Sequence, residues 1–321
     1  VADEGQDFIV LGADGLDEAF GGVGNDFVYG SKTTEQTMGG EGDDWIEVGA
    51  WTGAIGDNFD DQFQLDAVKG HDVFHGDGGF DEFIGEGGDD IWFGSLGRGK
   101  FDGMSGYDWT TYDGMKFAVN VDLNTQILPG VPVLPADAAL DSFTQVEGAS
   151  GSTHNDVIRG SDVTAADMPT EGFRGSALDA EGIALITGLQ ALLMGARPDS
   201  FDAQGRFVGG NILLGGDGSD LIEGRGGDDI IDGDRWLRVR IAVMSGFDEN
   251  GPTGTPTGEY HDSMTTLVAK VFSGEINPGQ LKIVRDIVSN GDTTPDIDTA
   301  AYSDVRANYS FSARADGTLV V

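Results

Sequence analysis

Aspartate recurs through this chain at one place in a nine-residue unit whose other fixed residues are glycines. From 76 to 111 the sequence reads GDGGFDEFI, GEGGDDIWF, GSLGRGKFD and GMSGYDWTT without insertion. The sixth place holds Asp81, Asp90, Gly99 and Asp108, while glycine fills the first place and the fourth, as at Gly79 and Gly88. The preceding VKGHDVFH joins this register through Asp72. A second block, GADGLDEAF, GGVGNDFVY, GSKTTEQTM and GGEGDDWIE, puts Asp17, Asp26, Glu35 and Asp44 in step, with Gly24 and Gly42 at the fourth place. In a third, GGDGSDLIE and GRGGDDIID, the aspartates are Asp220 and Asp229, the glycines Gly218 and Gly227, and Asn211 stands one repeat earlier. Half-copies lie at Asp7 and, in GSTHNDVIR, at Asp156.

A carboxylate set at a regular interval among glycines suits the binding of hard divalent cations. Calcium takes six to eight oxygens and accepts backbone carbonyls, and glycine lets those carbonyls turn inward by taking positive φ without strain. Purely structural glycine turns would not need an acid at every sixth place. The candidate ligands are therefore Asp17, Asp26, Glu35, Asp44, Asp72, Asp81, Asp90, Asp108, Asp156, Asp220 and Asp229, with Gly24, Gly42, Gly79, Gly88, Gly218 and Gly227. Several calcium ions are implied. Neighbouring acids such as Asp43, Asp89 and Asp228 read as decoration of the turn, and sites involving Gly99 or Asn211 as weak or empty. Catalytic chemistry finds no support. His71 and His75 form HDVFH rather than a helical HExxH, cysteine is absent, and no GxSxG elbow occurs.

These ligands need an element that repeats with them. The tail of each unit alternates as a very short strand and the other six residues form a turn, so two units complete an 18-residue coil. The expected fold is mainly β: a parallel β-roll with two thin facing sheets, its eighth-place side chains packed between them. Residues 18 apart then stack, pairing Asp26 with Asp44, Asp17 with Glu35, Asp72 with Asp90 and Asp108, and Asp81 with Gly99. The charge balance agrees, because 18 basic against 56 acidic residues leave a net charge of -38 that a compact metal-free state could not hold without self-repulsion. Such a field repels nucleic acid and anionic membrane surfaces, and no segment is long and apolar enough to insert in a bilayer. Without cysteine, metal takes the place of disulfides in a chain whose composition looks extracellular. Folding on calcium after export is expected.

The organisation predicted is a roll over 1–112 with an inserted loop at about 50–69, a strand and proline-loop linker over 113–148, a second repeat block over 149–234 with an inserted helix at about 177–196, and an α+β module over 235–321 that caps the last repeats. In that module Arg238 and Arg240 face away from Leu237, Val239 and Ile241, Ser263 caps a helix, and Asn277 with Pro278 opens another through Leu281, Val284 and Val288.

The nonapeptides resemble those of RTX (hemolysin-type) calcium-binding proteins. The longer runs GGDGSDLIEGRGGDDIIDGDRWLRVRI, SMTTLVAKVFSGEINPGQLKIVRDI and DTAAYSDVRANYSF look like the region downstream of the catalytic domain in large bacterial animal-type haem peroxidases. That resemblance implies a non-catalytic accessory domain of a secreted protein, cut before further family sequence, with haem held only in a domain outside this chain. The protein partners it implies are the parent's peroxidase domain or a cell-surface partner. An adhesin-like or surface-layer interaction module is the alternative.

Overall fold

The computed structural model describes the chain apart from residues 1–3, 13–16, 31–34, 48–58, 64–69, 77–79, 86, 96–97, 126–140, 171–174, 249–250, 290, 292–295 and 316. Gly79 falls outside the described residues, as do the side chains of Asp17 and Glu35.

Three-residue strands form one nine-stranded, wholly parallel sheet. In spatial order it runs Phe8–Val10, Phe27–Tyr29, Trp45–Glu47, Val73–His75, Ile91–Phe93, Trp109–Thr111, Gly148–Ser150, Ile212–Leu214 and Ile230–Asp232. The layer facing it is built in two parts. Six strands come first, Asp17–Val23, Glu35–Glu41, Phe59–Phe63, Phe80–Ile84, Arg98–Asp102 and Ser142–Thr144; then four, Asn120–Asp122, Val157–Arg159, Leu221–Glu223 and Thr299–Ala301. The two layers make a parallel β-roll. Successive side chains of a strand point to opposite faces, so the middle residue of each three-residue strand turns inward. Ile46, Phe74, Trp92, Ala149 and Leu213 thus meet Phe83, Phe101, Phe143, Ile158 and Ile222 in a core inside the roll. Burial of side chains this size contributes on the order of 1.5–3 kcal/mol each before chain entropy is counted.

The first residues of the same strands, Phe27, Trp45, Val73, Ile91 and Trp109, point outward and would leave an apolar flank in water. They belong to a second core, shared with Leu189, Leu193, Leu237, Val239, Ile241, Met264 and Leu267. These come from a sheet lying over the flank, in the order Ile186–Thr187, Leu281–Val288, Trp236–Asp248 and Gly251–His261, and from short helical turns beside it. Polar ties stitch the two together. Leu237 N donates to Ser150 Oγ at 2.9 Å, Thr111 Oγ1 to the Leu237 carbonyl at 3.0 Å, and Gln6 Nε2 to the Pro278 carbonyl at 2.6 Å. Glu47 is the most committed of these ties: one oxygen accepts Ser263 Oγ at 2.5 Å, the other accepts Met264 N at 2.6 Å and Trp45 Nε1 at 3.1 Å. Most of the C-terminal module therefore runs along the side of the roll. Among the described residues of that module, Thr299–Ala301 alone extends an edge, pairing in parallel with Leu221–Glu223.

Several segments differ from their sequence reading for identifiable reasons. Within 50–69, Phe59–Phe63 forms a strand between Glu35–Glu41 and Phe80–Ile84, so the facing layer continues through the insertion. Residues 113–148 supply Asn120–Asp122 and Ser142–Thr144 to the roll, and Val119, Val121 and Leu123 to its interior. The expected helix at 177–196 is two short ones, Ala180–Leu185 capped by Asp179 and Leu189–Leu193, with Ile186–Thr187 as a strand between them. Gly188 at φ +92° makes the break. Leu281–Val288 is a strand rather than a helix, because Leu281, Ile283 and Arg285 are buried at every second residue, the period of a sheet. Asn277 does make a capping box, for a single 3-10 turn, Pro278–Gln280. Arg238 and Arg240 both approach Asp286, at 3.7 and 3.3 Å. Among the described residues no helix is long and apolar enough to cross a membrane.

Candidate metal centre

Seven of the nine turns entering the nine-stranded sheet end in an aspartate placed just before the strand, and the other two end in Glu147 and Asn211. There the aspartate's own N–H lies outside the strand pairing and reaches the side chain of the next coil. Asp26 N donates to Asp44 Oδ1 at 2.8 Å, Asp44 N to Asp72 Oδ1 at 2.8 Å, Asp72 N to Asp90 Oδ1 at 2.7 Å, and Asp90 N to Asp108 Oδ1 at 2.8 Å. Asp7 N opens the ladder on Asp26 Oδ1 at 2.8 Å, and Asp108 N closes this run on Glu147 Oε2 at 2.9 Å. One carboxylate oxygen per coil is thus committed to the backbone.

The other oxygen is not. Oδ2 of Asp26, Asp44, Asp72, Asp90 and Asp108 is buried and takes no hydrogen bond. A buried carboxylate oxygen without a donor costs on the order of 1–3 kcal/mol or more, so such a column calls for a cation. Around it stand carbonyls. A Cβ placed on Gly103 would run into both Asp108 Oδ2 and the Gln145 carbonyl, and one on Gly21 into both Asp26 Oδ2 and the Gly39 carbonyl. The fourth-place glycines carry the carbonyls from coil to coil: Gly88, at φ +142°, faces the Gly70 carbonyl so closely that no side chain would fit, and Gly106 faces that of Gly88 in the same way. Gly24, Gly42, Gly218 and Gly227 likewise take positive φ. A carboxylate oxygen and inward carbonyls shared between successive coils are the oxygen donors that calcium selects. The residues fit that ion, which when bound supplies the positive charge the column lacks.

Electrostatics agree with the geometry. Burial, followed by the charge of Asp72, pushes Asp44 well above the usual carboxylate range. Burial and then Asp90 do the same to Asp72 and to Asp108, and burial dominates at Asp90. Asp26, nearer the end of the stack, is raised by burial to about 6. Arg285 enters this edge from the flanking sheet. It is buried, donates to the His71 carbonyl, and feels Asp43, Asp72, Asp90 and Asp89 as attracting charges.

Four segments, 2–32, 11–46, 66–100 and 207–235, match the RTX calcium-binding nonapeptide repeat family. The chain carries RTX calcium-binding repeats. No curated protein and no solved structure is significantly similar to it. The RTX matches cover the turns of Asp26, Asp44, Asp72 and Asp90, and stop short of Asp108 and Asp156, which stand on the same kind of ladder.

The remaining RTX positions divide by context. Asp17 and Glu35 pair in register inside longer strands. Asp81 is buried opposite Gly99, and Ser95 Oγ donates to its Oδ2 at 3.4 Å. Gly99 lacks a carboxylate because the Trp92 ring fills the space a Cβ would need. On the facing layer's second part, Asp156 N donates to Asp220 Oδ1 at 2.7 Å and Asp220 N to Asp298 Oδ1 at 2.9 Å. Asp220 keeps a buried Oδ2 without a donor, whereas Asp156 is fully engaged: Oδ2 accepts Ser152 N at 2.5 Å and Oδ1 accepts Val119 N at 2.7 Å. Burial raises both Asp220 and Asp229 to about 7. Asn211 stands between Asp229, whose Oδ1 takes its N–H at 2.8 Å, and Glu147, whose carbonyl accepts its Nδ2 at 2.9 Å. The amide thus donates for itself where an aspartate could not.

Sequence reading missed Asp141, Glu147 and Asp298. Asp141 Oδ1 accepts Gly99 N at 2.8 Å and its Oδ2 accepts the Tyr112 hydroxyl at 2.5 Å. None of the three follows a glycine-rich hexapeptide. The one signal in the sequence is an acid standing just ahead of a short strand pattern, as in DSFT, EGAS and DTAA.

Proposed function

We propose that this chain is a calcium-loaded, non-catalytic module of an exported protein, folding only where calcium is abundant and then stabilising the larger protein that carries it. The observation that supports it most directly is the column of buried Oδ2 atoms on Asp26, Asp44, Asp72, Asp90 and Asp108, which have no donor of their own. An unfolded chain offers no preformed cage, so the free energy of ion binding becomes free energy of folding. Extracellular calcium modules work at on the order of 10⁻⁴–10⁻³ M, far above the cytosolic level, so the chain stays unfolded before export and folds after it. The sixth-place aspartates with their paired glycine carbonyls are the ligands in this reading, and the flanking C-terminal module is the platform that the folded roll stabilises.

The resemblance of the runs around Asp220, Met264 and Asp298 to haem peroxidases makes an animal-type peroxidase the proposed parent, with its haem in a separate domain. Calcium counted by isothermal titration calorimetry, with circular dichroism before and after chelation, tests the module itself. Several bound ions and loss of the β signature on chelation are expected, and zero ions with an unchanged spectrum would overturn the reading. Peroxidase turnover by this chain supplemented with haem would overturn the non-catalytic assignment.

A further inference from the structure

The carboxylates of Asp234, Asp296 and Asp298 converge at the closing end of the roll, with ligand oxygens all within 4.8 Å of one another. Two oxygens on opposite sides of one calcium ion lie about 4.6–5.2 Å apart, twice the usual coordination distance, so a single ion can touch all three. None of the three belongs to a nonapeptide. Asp234 follows the last repeat, and Asp296 and Asp298 arrive from the distant C-terminal segment.

A second observation points to a cation in the adjoining coil, whose aspartate is tied to Asp298. Asp220 is only 2% exposed, and its Oδ2 has no hydrogen-bond donor. That oxygen lies beside the Gly233 carbonyl, since a Cβ on Gly215 would meet both, while a Cβ on Gly233 itself would meet Asp298 Oδ2. Gly233 is therefore bracketed by two carboxylates, one of which keeps a buried oxygen that takes no hydrogen bond. Among the described residues no lysine or arginine is ion-paired with Asp234, Asp296 or Asp298, and the adjacent Arg235 turns instead to Asp232 at 3.3 Å.

We propose that Asp234, Asp296 and Asp298 form a further divalent-cation site of the calcium class, which locks the tail strand Thr299–Ala301 onto the last coil as a final half-turn. This rests on the calcium reading above. The tail reproduces a repeat without its glycines: Asp298 accepts Asp220 N, Thr299 N donates to the Asp220 carbonyl at 2.8 Å, and Ile297 N to Ser219 Oγ at 2.9 Å. Three converging carboxylates repel each other, and the cation that offsets them also fixes the segment that supplies two of them.

The test uses the full chain and calcium itself. In the double variant Asp234→Asn with Asp296→Asn, Asp298 is intact, so the ladder hydrogen bond from Asp220 is retained. Calorimetry should count one ion fewer than in the unaltered protein, and amide exchange at 297–301 in saturating calcium should quicken about tenfold or more. The near-ultraviolet signature of Trp92 and Trp109 should not change. An identical ion count with identical exchange at 297–301 would overturn the site while leaving the repeat sites standing. Loss of every ion in the double variant would also overturn it as a separate site. If the unaltered protein bound no calcium, the proposed function would fall, and this site with it.

Discussion

The two long edges of the roll use the same nonapeptide differently. Turns entering the nine-stranded sheet place Asp26, Asp44, Asp72, Asp90 and Asp108 immediately before three-residue strands. Turns entering the first part of the facing layer place Asp17, Asp81 and Gly99 within strands of five to seven residues. A residue just ahead of its strand has an N–H to give to the neighbouring carboxylate; on the second edge this happens only where the next strand is short, as at Gly99, whose N–H reaches Asp141 Oδ1 ahead of Ser142–Thr144. On the first edge the one residue without a carboxylate among these ladder positions, Asn211, keeps a side-chain amide that hydrogen-bonds along the ladder, whereas the second edge accepts Gly99, with no side chain at all. Where strands of three residues return in the facing layer, after Asp156 and Asp220, the side-chain ladder returns with them.

Calcium removal should have the largest effect and should act on the first edge. Chelation is expected to abolish the β-roll signal in far-ultraviolet circular dichroism together with the near-ultraviolet bands of the buried Trp45, Trp92 and Trp109; persistence of both would break the comparison at its root. Next in size, Asp90→Ala removes the acceptor of Asp72 N and one unpaired buried oxygen, and should raise the calcium midpoint of folding about tenfold or more. Asp17→Ala, made inside a strand, should shift that midpoint severalfold less, and equal shifts would show that the edges do not differ.

The flank supplies a third measurement. Glu47→Gln leaves the ladder alone but weakens the contacts to Ser263 and Met264, at a cost of about 1–3 kcal/mol. Denaturant unfolding in saturating calcium should show that loss with the calcium count unchanged.

The gentlest probe is pH. Carboxylates whose folded pKa is raised bind more protons folded than unfolded, so the metal-free fold is favoured below the unfolded value of about 4 and loses that advantage as pH rises through the folded values. Those values are about 6 for Asp26 and about 7 for Asp220 and Asp229. Metal-free protein should therefore gain β structure on acidification from pH 7 to 5. In calcium the sign reverses, because protons compete for the ligands, and the half-saturating concentration should rise as pH falls below about 7. A metal-free spectrum flat across this range would remove the electrostatic argument for the ladder carboxylates on both edges.

Much of this was legible in the sequence. Repeats without insertion gave the coil length, the inward residues and the stacking of Asp72 on Asp90 and Asp108. Less legible was that the ladder holds across gaps: Asp44 reaches Asp72 over 28 residues, Asp108 reaches Glu147 over 39 and Asp156 reaches Asp220 over 64. Periodicity cannot see a neighbour that has left the period. Asp298 was invisible for the same reason. The flank was missed differently, because Trp45, Ile91 and Trp109 look like ordinary strand residues until a second layer is found covering them.

The ladder fixes which coil lies beside which, and is indifferent to how much chain passes between. Doubling the length of a loop adds only about 0.6 kcal/mol to the cost of closing it, so an excursion like the one between Asp156 and Asp220 could be lengthened with little effect on the coils either side. The roll behaves as a chassis: new cargo can be spliced into its detours while the frame keeps its alignment.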